Sequence, residues 1–203
     1  MLAAKVVSVV GGGWSFLEVD QSRLPGIVIA ANEAAVALER VPEMGVSMDR
    51  LWTENRWAQI SARKMQFFGR RSALQNIKPL PNWAFSFENE QGRTLGETAA
   101  QLNGTNSGEC ALNLAYVLRP NKVYLFGFDM TRGPAGEPYW HAPYPWAPPQ
   151  GSTKPAKYAE WTRRFRHVAD HFRRAGIEVL NVSSRSLINA FPRVHPAQIG
   201  VAR

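Results

Sequence analysis

The stretch that decides the fold is NGTNSGECALNLAYVLRPNKVYLFGFDM, residues 103–130. It opens with a polar turn that contains two glycines, and apolar residues at helical spacing follow that turn. The predicted helix must stop just before Pro120, which cannot continue it. Residues 123–126 are an apolar run of strand length, closed by Gly127, with Asp129 just beyond its end. This order of elements predicts half of an α/β crossover unit.

A pocket is expected where this unit ends, because ligands of parallel sheets bind outside the carboxyl ends of the strands. The polar turn before the helix and the carboxylate after the strand should therefore face one another. The residues placed around this pocket are Asn106, Ser107, Gly108, Gly127 and Asp129.

Length and composition indicate one domain spanning residues 1–203, since 203 residues with 45% hydrophobic content can bury a sizeable core. The longest apolar runs are too short to span a bilayer, and the N-terminus lacks the basic region and cleavage site of a signal peptide. A cytoplasmic protein without a membrane span is therefore expected. The single cysteine, Cys110, excludes an internal disulfide and is expected to be a small core residue.

The formal net charge is +8 and the sequence pI is near 10.1. Such a balance favours contact with phosphates, whether on a nucleotide, a nucleic acid or a lipid surface. Charge alone does not choose among these three.

The first unit reads as a strand over residues 5–10, a glycine turn and the start of a helix. In this arrangement backbone amides can face a phosphate, although three glycines also suit any tight turn and the spacing matches neither GxGxxG nor a phosphate-binding loop with its lysine. The candidate nucleotide-binding residues here are Gly11, Gly12, Gly13 and Ser15.

A second buried parallel strand is predicted over residues 26–31, and Asn32 lies just past its end. The Asn32 side chain is expected to cap a helix over residues 34–39, to contact a ligand, or to do both.

The middle of the chain is less informative. Residues 46–51 and 65–68 read as further strands, separated by a helix that Thr53 caps and that runs to Ser61. Residues 83–87 read as a short edge strand, with antiparallel pairing as one option, and residues 88–102 as a loop.

Basic residues recur in this region at Arg56, Arg63, Lys64, Arg70 and Arg71. A cluster of this kind is usually a solvated face, and the alternative is a patch for substrate or nucleic acid.

Residues 131–155 are rich in proline, glycine and aromatics, and they should form an irregular lid over the pocket. His141 lies in this lid and could act as a general base, since imidazole titrates near neutrality. Tyr139 and Tyr144 could hold a phosphate through their hydroxyls. The alternative for all three is ordinary loop packing.

The clearest helix is predicted over residues 156–175 and ends at Gly176. Its His167 and His171 are four residues apart, but no third ligand accompanies them, so a metal site is not expected. A last strand over 177–182, a turn and short helix over 183–190, and a mobile tail from Phe191 complete the reading.

Four pieces of the chain, taken together, resemble a family. These are residues 11–25 with their triglycine loop, Asn32 after the second strand, the Asn106-Ser-Gly108 turn with Gly127-Phe-Asp129, and residues 177–191. They are similar to the small single-domain bacterial sialyltransferases and the related pterin-pyrophosphokinase-like proteins, and most similar to uncharacterised phage and prophage members of that superfamily. Only residues 45–100 fall outside the resemblance.

The resemblance implies a Rossmann-like, three-layer αβα sandwich with a mostly parallel sheet. It also implies a nucleotide-sugar donor of the CMP or UDP type, bound as a substrate rather than as a permanent cofactor. Carried over, the triglycine loop and Asn32 would contact phosphate and ribose, Asn106 to Gly108 the nucleotide, and Asp129 the sugar or base. His141 would be the general base, and Tyr139 and Tyr144 would neutralise the leaving phosphate.

The leading hypothesis is a glycosyltransferase, metal-independent because the chain has no Asp-x-Asp sequence, that acts on modified DNA or on a glycan. One alternative is a non-catalytic nucleic-acid-binding phage protein, located in the host cytoplasm. Its footprint would be Arg56, Arg63, Arg70 and Arg71 together with the arginine-rich helix over residues 156–175. Another is a pyrophosphokinase-like phosphotransferase, for which Asp20 and Asp49 are the nearest extra carboxylates. A homo-oligomer is compatible with each hypothesis.

Overall fold

The computed structural model describes residues 6–89, 92–146 and 154–203. Seven strands form one sheet in which every pair is parallel. The strands are β1 (Val6–Val10), β2 (Ile27–Ala31), β3 (Met44–Ser47), β4 (Gln66–Arg70), β5 (Ala84–Phe87), β6 (Lys122–Phe126) and β7 (Glu178–Val182). The predicted α/β class with a parallel sheet is confirmed.

Five α-helices accompany the sheet in the part of the chain that the structure describes. They are α1 (Ala34–Ala37), α2 (Arg50–Ala62), α3 (Arg71–Leu74), α4 (Ser107–Val117) and α5 (Pro155–Arg174). Three 3-10 helices cover Trp14–Glu18, Gln21–Arg23 and Pro196–Ile199.

The core consists of two apolar layers, one on each face of the sheet. Alternate residues of a strand point to opposite faces, so Val7 and Val9 pack with α4 and α5, whereas Val10 packs with α1 and α2. Large buried side chains fill both layers, including Phe165 on one face and Trp52 on the other. The predicted three-layer sandwich is therefore confirmed.

The strand order is β5-β4-β3-β2-β1-β6-β7. The chain builds outward from β1 to β5, then returns through α4 to place β6 on the other side of β1. The direction of winding thus reverses between β1 and β6. Ligands of open α/β sheets bind at such a switch point, outside the carboxyl ends of the strands.

Several local predictions are wrong in detail. The edge strand β5 pairs with β4 in parallel, not antiparallel. Helix α2 begins earlier than predicted, because the side chain of Asp49 caps it by accepting a hydrogen bond from the Trp52 amide at 3.0 Å. Thr53 lies inside the helix, where its hydroxyl donates to the Asp49 carbonyl at 2.7 Å. Aspartate is a stronger N-cap than threonine, which explains the shift.

The end of the chain also differs from the prediction. Residues 183–190 form a turn without a helix, because the Ser186 hydroxyl donates to the Phe128 carbonyl and accepts from the Ile188 amide. The expected mobile tail is ordered instead. The Pro192 carbonyl accepts from the amide of Asn181 in β7, and Val201 is buried beside the bridge between Val19 and Ala202.

Two smaller points complete the fold. Cys110 is fully buried in α4, as expected, and burial raises the pKa of its thiol well above the ordinary range. None of the described helices combines the length and the apolar character needed to cross a membrane.

Candidate functional site

A cavity of about 830 Å³ opens at the carboxyl ends of β1, β2, β3 and β6. Loops that are distant in sequence meet there, and all but one of the predicted site residues line it. The lining residues that the sequence pointed to are Gly11, Gly12, Gly13, Asn32, Asn106, Ser107, Gly108, Gly127, Asp129, Tyr139, His141 and Tyr144. The exception is Ser15, which lies behind the triglycine loop.

The triglycine loop is bound tightly to the end of β6. The Gly11 amide donates to the Phe126 carbonyl and the Gly13 amide to the Gly127 carbonyl, both at 2.8 Å. A Cβ on Gly13 would lie 2.6 Å from the Gly127 oxygen, so only glycine allows this approach. Within the described residues, Gly12 alone of the three glycines keeps an amide N–H without a hydrogen bond. The sequence suggested that amides of this loop face a phosphate, and two of the three glycine amides are instead bonded within the protein.

Asp129 joins three loops and is only 1% exposed. Its carboxylate accepts from the Ser15 amide at 2.8 Å, from the Ser15 hydroxyl, and from the Ser183 hydroxyl at 2.7 Å. These contacts link the ends of β1, β6 and β7. Since three donors already occupy the carboxylate, the geometry gives Asp129 and Ser15 a role in fixing the shape of the site. We call Gly11, Gly13, Ser15, Gly127 and Asp129 the floor.

The start of α4 contributes a lining residue, Asn106, that has an unpartnered polar atom. Asn106 caps the helix through Oδ1, which accepts from the Glu109 amide at 2.9 Å. Its Nδ2 is buried and has no partner within the described residues. The neighbouring Ser107 hydroxyl accepts from the Met48 amide at 3.0 Å, so it ties α4 to the end of β3.

Asn32 also lines the cavity and has a second unpartnered atom. It adopts a positive φ of 48°, a conformation that asparagine tolerates better than most residues. Its side chain makes no capping hydrogen bond to α1, whose N-cap residue is Glu33, and the capping expectation is wrong. The buried Asn32 Oδ1 has no partner among the described residues. Buried polar groups are normally paired, so such atoms at a cavity wall mark places where a ligand can supply the partner.

His141 is oriented by its own backbone neighbour. Its Nδ1 lies 2.8 Å from the Ala142 carbonyl oxygen. A carbonyl only accepts, so Nδ1 must carry the hydrogen and Nε2 keeps its lone pair in the neutral ring. Nε2 lies 4.0 Å from the position that a Cβ on Gly12 would occupy. Burial lowers the pKa of His141, which favours the neutral, proton-accepting form.

The two lid tyrosines pack against this histidine. The Tyr139 ring stacks on His141 with centroids 4.8 Å apart and an interplanar angle of 6°, and Tyr144 lies 5.1 Å from His141. Burial raises the pKa of Tyr144 far above its ordinary value, with a further contribution from Glu33. Its hydroxyl therefore stays protonated and can donate a hydrogen bond to an anion.

The described part of the lid is irregular, as predicted, and it is attached to the triglycine loop by Trp140. The Trp140 amide donates to the Gly12 carbonyl at 3.2 Å, and its indole Nε1 donates to the Gly11 carbonyl at 3.0 Å. This docking puts the next residue, His141, at the cavity. Residues 147–153 of the predicted lid lie outside the described residues.

The N-terminus of α5 forms one side of the cavity. Sequence reasoning did not predict this contribution. Lys154, Lys157, Tyr158 and Trp161 line it. Trp161 Nε1 is buried without a partner among the described residues. An ion pair holds this helix in place: Arg164 Nε lies 3.0 Å from an oxygen of Glu109, which is 1% exposed at the start of α4. The apolar spacing of α5 predicts its buried face, but no local signal shows where its first turn lies.

The cavity also includes two residues that the sequence did not single out for it, Glu33 and Trp146, and one of the two carboxylates suggested for the phosphotransferase alternative. Glu33, Asp49 and Trp146 line it, whereas Asp20 is not among its lining residues and caps the 3-10 helix at Gln21–Arg23.

The predicted arginine cluster does not form one free basic patch. Arg56 pairs with Glu33 at 2.8 Å, and Arg63 donates to the carbonyls of Val36 and Leu38. Arg71 is exposed but pairs with Glu88 at 2.7 Å. Three of the four arginines in this cluster therefore have partners within the protein.

No protein-family model matches the chain, and no curated protein matches it. Solved structures do match. One is the sialyltransferase CstII from Campylobacter jejuni in complex with a substrate analogue, cytidine-5'-monophosphate. It aligns with 95% of this chain and 85% of its own, with a TM-score of 0.55 and 15% identity.

Two further structures agree with this match. The monofunctional α-2,3-sialyltransferase Cst-I from Campylobacter jejuni covers 95% of this chain and 81% of its own, with a TM-score of 0.57 and 14% identity. The sialyltransferase CST-II in complex with a trisaccharide acceptor and CMP covers 95% and 86%, with a TM-score of 0.52 and 13% identity. The chain has a sialyltransferase-like fold. The resemblance expected from the sequence motifs is thus confirmed at the level of the fold.

Proposed function

We propose that the protein is a metal-independent glycosyltransferase that uses a nucleotide-activated sugar as donor. The observation that carries the proposal is the juxtaposition of three features in one cavity. Asn32 and Asn106 line the cavity at the switch point and each has a buried polar atom without a partner in the described residues, and the neutral His141 stands beside Gly12. The likeness to sialyltransferases determined with CMP supports a nucleotide as the ligand.

The donor would bind along the floor and the start of α4. The Gly12 amide and Asn106 Nδ2 are donors suited to phosphate or base oxygens, and Asn32 Oδ1 is an acceptor suited to a hydroxyl or an amino group. The α4 N-terminus adds a partial positive charge that favours an anionic group. CMP-type and UDP-type donors both offer these groups.

His141 would act as the general base. Its Nε2 removes the proton from an acceptor hydroxyl, whose oxygen then forms a bond to the anomeric carbon of the sugar. The bond from that carbon to the phosphate oxygen breaks at the same time, and the electron pair stays on the phosphate. Tyr139 and Tyr144 donate hydrogen bonds to this leaving group, and Lys154 at the cavity rim supplies positive charge. For the acceptor we propose a hydroxyl-bearing substrate of one of two classes, a modified base in DNA or a glycan.

The test is calorimetric titration with CMP, CDP, UMP and UDP, followed by the Asn106→Asp variant. Aspartate keeps the oxygen that caps α4 but replaces the Nδ2 donor with a charged oxygen, so helix stability should be preserved. We expect nucleotide affinity to fall at least about tenfold, which corresponds to about 1.4 kcal/mol. Asn55→Asp, which makes the same change on the exposed face of α2, should bind as the wild type does.

A second variant separates binding from chemistry. His141→Gln should retain nucleotide affinity, whereas transfer from CMP-activated sialic acid or UDP-activated hexoses should fall by about 10²–10⁴-fold, the usual contribution of a general base. The proposal is wrong if the wild type binds none of the four nucleotides at millimolar concentration, or if Asn106→Asp binds them as tightly as the wild type.

A further inference from the structure

A chain of contacts connects Trp146, the last described lid residue before residues 147–153, to the end of β2. It consists of Glu33, Arg56 and Trp146, which we call the latch. The sequence suggested Arg56 only as part of a nucleic-acid patch and did not single out Glu33 or Trp146, both of which line the cavity.

Glu33 and Arg56 form the anchored half of the latch. Arg56 donates to both carboxylate oxygens, Nη2 to Oε1 at 2.8 Å and Nε to Oε2 at 3.0 Å. The pair is largely enclosed, with side-chain exposures of 21% for Arg56 and 12% for Glu33. The indole of Trp52, which is 1% exposed, donates to Glu33 Oε2 at 2.9 Å and fixes the carboxylate further. A bidentate, half-buried pair of this kind has one defined geometry.

Trp146 connects the ion pair to the other aromatic residues of the lid. The Arg56 guanidinium lies 5.0 Å from the centre of the Trp146 ring, within cation–π distance. Tyr144 stacks on the same ring, with the two ring centroids 5.3 Å apart and an interplanar angle of 10°. Tyr144 in turn contacts His141 and Tyr139. The stack therefore runs without a break from the ion pair to the imidazole.

The lid needs such support because its hydrogen bonds end early. Between residues 139 and 146, the hydrogen bonds to the rest of the described protein are the two that Trp140 donates to the triglycine loop. Beyond Trp140, the described contacts that hold the lid down are the packing of Tyr144 and Trp146 against the core, the aromatic stack and Arg56.

We propose that Glu33, Arg56 and Trp146 are positioning residues for His141: they hold the lid aromatics in the arrangement that turns Nε2 toward Gly12. The role of His141 as base rests on the proposed function. Glu33 directly follows Asn32, a residue that would contact the donor, so one end of the latch lies next to the donor site. Arg56 is thereby assigned to the lid rather than to a nucleic-acid footprint.

The pKa of His141 can report whether the latch is closed, because burial and nearby charges both act on it. Burial is the main cause that lowers its pKa, Arg56 lowers it further, and Glu33 raises it. The neighbouring ring groups are Tyr139, Trp140 and Tyr144. If the latch is released, solvent should reach the ring and its pKa should rise toward the ordinary value.

The experiment follows the imidazole signals of the intact protein by NMR as the pH is varied. The chain has 4 histidines, so the His141 signal can be assigned by its loss in His141→Gln. Trp146→Leu changes no charge, so any rise in the His141 pKa in this variant reports release of the lid. Arg56→Met also removes a positive charge and should raise the pKa further.

Arg119→Met is the matched control. Arg119 also pairs with a glutamate, Glu97, and lies over an aromatic ring, 4.0 Å from the centre of Tyr116, but it follows α4 and does not line the cavity. This variant should leave the His141 titration unchanged.

Limited chymotrypsin cleavage after Trp140 gives an independent readout. Losing the Trp146 contact should speed it on the order of tenfold, as expected when a cation–π contact that held the lid closed is lost.

An unchanged His141 pKa in Trp146→Leu overturns the proposal, even if Arg56→Met shifts it, because that shift would then be a charge effect alone. A rise in both variants, with faster cleavage, supports it. Neither readout needs a nucleotide. Failure of the wild type to bind nucleotides would therefore overturn the proposed function and leave this test of the latch intact.

Discussion

The floor and the wall of the cavity differ in how their polar groups are used. In the floor, the amides of Gly11, Gly13 and Ser15 and the carboxylate of Asp129 are bonded within the protein. In the wall, which we define as Asn32, Asn106 and Trp161, each side chain has a buried polar atom without a partner in the described residues. Both regions are polar and, apart from Ser15, their residues line the same cavity.

The difference shows which residues shape the cavity and which can recognise a ligand. A group whose hydrogen bonds are complete offers little to a ligand, whereas an unpaired buried group costs free energy until something binds it. Substitutions in the floor should therefore change stability, and substitutions in the wall or the lid should change binding or catalysis.

The largest stability effect is expected at Gly13. A Cβ there would meet the Gly127 oxygen at 2.6 Å and the Asp129 carboxyl carbon at 2.7 Å. Because part of this obstruction is backbone, we expect Gly13→Ala to lower the free energy of unfolding by about 3 kcal/mol, measured by urea denaturation.

The neighbouring glycine is the control. A Cβ on Gly12 would make only ordinary contacts, 3.6 Å to Tyr139 and 4.0 Å to His141 Nε2. Gly12→Ala should change stability by less than about 0.5 kcal/mol while projecting a methyl group beside the His141 and Tyr139 rings. Equal stability losses in the two variants would break the distinction between floor and cavity.

A smaller loss is expected from Asp129→Asn. The amide keeps the shape of the carboxylate but replaces one acceptor oxygen with an NH₂ group, although three donors point at this site. We expect Asp129→Asn to lower the free energy of unfolding by about 2 kcal/mol. Ser183→Ala, which removes one donor, should lower it by about 1 kcal/mol. Thermal denaturation measures both. An Asp129→Asn protein as stable as the wild type, with a loss confined to activity, would assign Asp129 to catalysis instead.

Much of the fold could be predicted because its signals are local. Pro120 ends α4, the apolar runs give β1, β2 and β6, and the glycines after β1, Asn32 after β2 and Asp129 after β6 mark the cavity edge. The parallel pairing of β5 was missed because a strand of four residues without an alternating burial pattern carries little information on strand direction. The ordered tail was missed because what holds it, the pairing with β7 and with Val19, lies far away in sequence.

The site was predicted less completely. The sequence placed the glycines, the asparagines and His141 near one another, but it could not show that two glycine amides and Asp129 are consumed by internal hydrogen bonds. It also could not show that Arg56 pairs with Glu33 beneath Trp146, because 23 and 90 residues separate these partners. Residue type suggests which groups can bind a ligand. Only the three-dimensional structure shows which of them lack a hydrogen-bond partner within the protein.

The smallest expected effect concerns the charge state of His141. Burial holds its pKa below the ordinary value of 6.5, so the unfolded chain binds a proton more readily than the folded protein does. Stability should therefore fall as the pH drops below about 6.5 and through the folded pKa, and this loss should be absent in His141→Gln. We expect the difference between the two proteins to be flat from pH 7 to 8 and to change by less than about 1 kcal/mol by pH 5, as measured by urea denaturation at each pH. A wild type that instead gains stability relative to the variant on acidification would mean that folding raises the pKa of His141. Its ring would then be charged near neutrality, and the lid could not supply the base that the floor and wall are arranged to serve.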